Sequence, residues 1–195
     1  MTAQRKKLLL IWLALAGLSV AIFFAEVKRS ERISAPVVRE SKRLLPAPIE
    51  DIRAVEIMSN GAMHRFERDS ADLWLYHGAH DGTQSEHEHV TDPKLAALIN
   101  EAMVIFDRVQ REQSIPLPTG EDEFGVTRPD MFIVVYRSKT EEPLARYAVG
   151  TTATDGVGRY LLPVGAADIV TIPDFHIKNL LALIDAVKIA GAARP

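Results

Sequence analysis

Four histidines stand within thirteen residues: His77, His80, His87 and His89. They are interleaved with Asp81, Glu86 and Glu88, and Asp92 follows. Neutral imidazoles and carboxylates are metal ligands, and the His-x-x-His and His-x-His spacings each let two rings reach one ion. Zn²⁺ and Cu²⁺ both accept this donor set. The competing reading is a solvated polar loop, because the stretch 77–90 also carries two glycines, Ser85, Thr83 and Gln84. There is no cysteine to sharpen a metal signal. Elsewhere the chemistry is thinner. A hydrolase triad needs a nucleophile, base and orienting group converging in a cleft, and no Gly-x-Ser-x-Gly elbow is present. Gly150-Thr-Thr-Ala-Thr-Asp-Gly156 lacks the Lys-Ser/Thr that would follow a phosphate loop, so it reads as a hairpin turn. Glu121-Asp122-Glu123 reads as a solvated acidic face, and His176 as a residue that packs or caps locally. The expectation is a protein that is not an enzyme.

The elements that would position these residues follow from periodicity. Ile52, Ala54 and the Val55–Ile57 region alternate as a strand. Asn60-Gly61 gives a strong hairpin signal because both residues tolerate positive φ. Ala62 to Arg68 and Leu73 to Tyr76 continue the meander. Thr91 or Asp92 caps a helix with Pro93 at its first position. Leu95, Leu98, Ile99, Ala102, Met103 and Phe106 recur at three- and four-residue spacing along it. Residues 110–130 read as a Pro-containing connector. Strand signals return at Met131–Tyr136, Leu144–Val149, Arg159–Val164 and Asp168–Ile172. Pro173 is expected to open a last helix with Ile177, Leu180, Leu181, Ile184 and Val187 on one face. The order βββ-α-ββββ-α predicts an α+β domain, an antiparallel sheet with two packed helices.

Ahead of this domain lies the uncharged run Leu8 to Ala25, eighteen residues whose only polar side chain is Ser19. As a helix rising 1.5 Å per residue it would span roughly 27 Å, near the thickness of a bilayer's hydrocarbon core. A signal peptide would end its apolar stretch at a small-x-small site. Ser19-Val20-Ala21 fits that site, but Ile22-Phe23-Phe24 carries the run past it. The reading is therefore a basic tail over 1–7, a single transmembrane anchor over 8–27, and a basic, Pro-containing stalk over 28–48. The α+β domain follows over 49–190, with a short tail at 191–195. Residues 1–48 carry nine Lys/Arg against three Glu, whereas 49–195 carry fourteen Lys/Arg against twenty-three Asp/Glu. A basic segment beside lipid and an acidic domain suit a bilayer partner and argue against nucleic acid. The basic flanks of the anchor nearly balance. The short leading tail favours a domain outside the cytoplasm, on the periplasmic side of an inner membrane.

Phe124-Gly125-Val126-x-x-Pro129, Tyr147-Ala148-Val149-Gly150 and Gly158-Arg159-Tyr160-Leu161-Leu162 follow Trp74 and the Pro-started helix in order. This arrangement resembles the bacterial membrane-anchored domains of unknown function found alone or beside ABC-type gliding and auxiliary transport components. The resemblance covers about residues 49–188 and implies an extracytoplasmic α+β domain without transferable catalytic residues. The resulting expectation is a membrane-anchored accessory or assembly subunit of a larger membrane protein complex. The alternative is periplasmic Zn or Cu binding or delivery through the His-rich loop 77–92.

Overall fold

A computed structural model describes residues 42–80, 92–120, 122–137 and 142–192. The expected anchor, most of the stalk, His87 and His89 lie outside them. Among the described residues no helix is long and apolar enough to cross a membrane.

The compact unit begins at Arg43, not at Ile49 as the prolines suggested. Leu44 and Leu45 are buried. The Leu44 N–H donates to the Val109 carbonyl at 3.0 Å, and the Tyr147 hydroxyl donates to the Leu44 carbonyl at 2.7 Å. Asp107 pairs with Arg43 and accepts from the Ile49 N–H at 3.1 Å. Pro46 and Pro48 do favour extended chain, but the two leucines beside them turn the last part of the expected stalk into a strap across the core.

Eight strands follow the strap: β1 (Ala54–Ser59), β2 (Ala62–Arg68), β3 (Trp74–His80), β4 (Ser114–Pro116), β5 (Met131–Tyr136), β6 (Ala145–Thr152), β7 (Gly158–Pro163) and β8 (Asp168–Pro173). Helix α1 (Pro93–Asp107) stands between β3 and β4, and α2 (Phe175–Ala192) follows β8. The strands form one antiparallel sheet in the order β3-β2-β1-β5-β6-β7-β8-β4. The α+β class and the two helices stand as expected, with one strand more than expected. β4 lies inside the stretch read as a connector. Three residues ending in proline carry no alternation to recognise, and their pairing is with β8, more than fifty residues away.

Asn60 and Gly61 sit at φ 52° and 77°, and this primed turn matches the twist of the β1–β2 hairpin. Asp92 caps α1 through its carboxylate, which accepts from the Lys94 N–H at 2.9 Å. Leu95, Ile99, Met103 and Phe106 bury one stripe of α1 against the sheet. Leu98, expected on that face, is 40% exposed and lines a shallow groove between α1 and α2. On α2 the buried set is Ile177, Leu180, Leu183, Ile184 and Val187, with Leu181 half-buried. Pro173 ends β8 rather than opening this helix. Asp174 lies between the two, and its carbonyl accepts the Lys178 N–H.

The main core lies between the helices and one sheet face, where Val55, Ile57, Ile133, Val135, Leu161 and Ile172 are all buried. A second cluster of Val126, Ala153, Tyr160 and Ile169 includes residues of β7 and β8 and lies under Phe124.

Candidate functional site

The three sequence motifs converge at one end of the sheet. Asp122 shapes the first. Its carboxylate accepts from the backbone N–H groups of Val126 at 3.0 Å, Thr127 at 3.0 Å and Arg128 at 3.1 Å. These bonds, led by one from the Thr127 side chain, hold Asp122 below the usual carboxylate range. Gly125 takes φ 66° at the tip of the turn. The turn then docks on β6, where the Thr151 N–H donates to the Phe124 carbonyl at 2.8 Å. Phe124 meets Tyr160 edge-on with ring centroids 4.7 Å apart.

Gly150 makes this docking sterically feasible. A Cβ there would stand 2.1 Å from the Phe124 carbonyl oxygen. From β7, the Arg159 Nε donates to Asp174 Oδ1 at 2.7 Å and its Nη1 to the Gly150 carbonyl at 3.1 Å. Asp174 is 3% exposed and also meets Lys178 Nζ at 2.9 Å. Burial pushes its carboxyl up, but Lys178 and Arg159 outweigh that and hold it low. Asn60, Arg128, Asp130, Gly150, Arg159 and Leu181 line the resulting cleft of about 320 Å³.

A larger groove, about 380 Å³, runs between the β2–β3 turn and the first turn of α1, lined by Trp74, Leu73 and Pro93 among others. Its carboxylates are committed to the fold. Asp69 accepts from Ala71 and Leu73, Asp72 pairs with Arg53 and Arg68, and Asp92 caps α1.

A polar ladder crosses the sheet face opposite the helices. The Tyr136 hydroxyl donates to Glu56 Oε2 at 2.6 Å, and Arg65 Nη1 to Glu56 Oε1 at 2.6 Å. Arg65 Nε donates to Glu67 Oε2 at 3.0 Å, and His77 Nδ1 lies 3.3 Å from Glu67 Oε1. Burial, with help from Glu56, pushes the Tyr136 phenol up to about 12. His77 thus ends a network running over β5, β1, β2 and β3. His80 pairs through its backbone with Met63. The pairing slips between His64 and Phe66, so His77 and Gly78 both stand opposite Arg65, and Gly78 adopts φ 92° there. Among the described residues no three His, Asp or Glu side chains are arranged to hold a metal ion. The ladder was readable in principle. A two-residue turn at Asn60-Gly61 fixes the register that sets Glu56 opposite Arg65. The Arg159–Asp174 pair gives no local signal.

Two buried histidines lie outside these sites. His64 is fully buried on β2, with Nδ1 2.7 Å from the Tyr76 hydroxyl. Its pKa is lowered by burial first and by Lys188 second, with Asp185 opposing. His176 packs locally against Phe175, with ring centroids 3.9 Å apart, and burial lowers its pKa as well. A lowered histidine pKa means the unfolded chain binds the proton more readily. Stability is therefore unpenalised above the unfolded value of about 6.5 and falls as pH drops below it. Thermal unfolding from about pH 7.5 down to about pH 5 should show a falling Tm, and His64→Gln with His176→Gln should flatten that slope. A wild-type profile flat across this window would contradict the assignment.

No family model, curated protein or solved structure matches this chain.

Proposed function

We propose that this chain is a single-pass, membrane-anchored accessory or assembly subunit, without catalytic activity of its own, whose α+β domain works outside the cytoplasm within a larger membrane protein complex. The observation that carries this reading is the strap. The eighteen-residue apolar run at Leu8–Ala25 suits a bilayer. The chain then enters its folded unit through Arg43, Leu44 and Ile49, each fixed to the core by the bonds of Tyr147, Val109 and Asp107. An anchored subunit that must keep its place in an assembly needs a packed entry point. The resemblance to membrane-anchored domains beside ABC-type transport components supports the same reading.

The anchor has a direct test. The mature chain should retain its N-terminus by intact mass and resist carbonate extraction. Protease added to spheroplasts should degrade the domain. A mature chain starting at Ile22, or a domain digested only after lysis, would contradict it.

Metal handling is the second reading. It is favoured by the His77–Glu67 contact at the foot of the His-rich stretch, which gives an incoming ion an imidazole and a carboxylate side by side. Zn²⁺ and Cu²⁺ titrations with and without His87→Ala/His89→Ala test it. One tightly bound ion lost in the double variant supports the reading, and weak uptake that the variant leaves unchanged opposes it.

A further inference from the structure

We propose that the cleft between the β1–β2 turn, the Gly125 turn and Gly150 receives the C-terminal residue of an extended peptide, its carboxylate on Arg128 and Arg159 and its apolar side chain on the cleft floor. This rests on the accessory-subunit reading and names what a protein partner presents to this surface.

Charge is the first argument. The domain is strongly acidic, with twenty-three Asp/Glu against fourteen Lys/Arg over residues 49–195. Among the described residues the ionisable lining of the cleft is nevertheless two arginines and Asp130. A single net positive charge matches a monoanion. Arg159 spends Nε on Asp174 and one Nη1 hydrogen on Gly150. Among the described residues, three of its five guanidinium N–H groups therefore remain for solvent or a ligand. The buried Asp174, itself held by Lys178, fixes the plane of that guanidinium in advance of binding.

The floor is the second argument. Met131, Val149 and Ile177 line the cleft and are each less than a tenth exposed. An inorganic anion would leave this apolar surface unused, whereas a terminal Val, Leu or Phe covers it. A volume of about 320 Å³ is at the small end of ligand sites and suits one residue with its carboxylate. Preorganisation is the third. The close approach of Gly150 to Phe124 holds the wall in place, so little ordering is left for the ligand to induce. Capture of a terminal carboxylate is an established way for proteins to read peptides.

The test uses the full chain in detergent solution and short peptides labelled at their N-termini. The peptides end in Val, Leu or Phe, each as the free acid and as the C-terminal amide, and binding is read by fluorescence anisotropy. At least one free acid should bind about tenfold or more tighter than its amide, the range expected for a charge-assisted contact. Arg128 is exposed, so Arg128→Gln should leave the fold intact. It should weaken the acid about tenfold while leaving the amide unchanged. Equal binding of acid and amide, no binding of any pair, or an acid affinity indifferent to Arg128→Gln would overturn the proposal. Displacement by inorganic phosphate as effective as by unlabelled peptide would also overturn it. A chain that co-purifies with membrane partners yet binds none of these peptides loses the cleft assignment and keeps the accessory reading.

Discussion

Gly150→Ala should destabilise the domain by about 3 kcal/mol, at the upper end of the usual cost of forcing extra atoms into a packed site. The added methyl would lie 2.1 Å from the Phe124 carbonyl oxygen and 2.7 Å from Val126 Cγ1. The first of these is backbone and cannot rotate away. Relief requires lifting the Phe124 turn from β6, which breaks the Thr151–Phe124 hydrogen bond and opens the Phe124–Tyr160 contact. For a domain of this size the expected Tm loss is roughly 6–12 °C. Gly61→Ala is the control. Gly61 has a positive φ, 77°, which Gly150 does not, and nothing lies within 4 Å of its would-be Cβ. Its cost should be backbone strain alone, about 1–2 kcal/mol. If Gly150→Ala unfolds no earlier than Gly61→Ala, the docking of the Phe124 turn is wrong.

Phe106→Ala should cost about 3–5 kcal/mol, the range for deleting a fully buried aromatic ring. Phe106 is 1% exposed and sits in the main cluster with Ile99, Met103 and the strap leucines. The loss combines transfer and cavity terms. Urea unfolding should show a lower midpoint with an unchanged slope. Leu98→Ala, on the same helix but 40% exposed, should cost far less. Equal effects at the two positions would mean that α1 is rotated about its axis.

What the sequence discloses here is local. The Asn60-Gly61 turn and the Asp92-Pro93 helix start are fixed by residues adjacent in the chain and are found where expected, while the last helix is present but starts at Phe175, past Pro173. The misses share a cause. β4 is defined by its partner β8, the strap by Tyr147 and Asp107, and the cleft by three segments brought together in space. None of these long-range contacts leaves a period in the sequence. Leu98 fails for a subtler reason, since a stripe one residue too wide still satisfies three- and four-residue spacing. Of the expected metal ligands, His77 is seen at the end of a charge ladder and His80 by its backbone pairing, while His87 and His89 fall outside the described residues.

We propose that this domain is held in a membrane complex. The most direct test is to solubilise native membranes gently, isolate the full chain, and weigh and identify what elutes with it. The expected species is heavier than one chain in its micelle and contains a defined membrane protein at a fixed ratio that survives a change of detergent. A chain that elutes alone from every detergent, or is recovered in the soluble fraction without detergent, would contradict it.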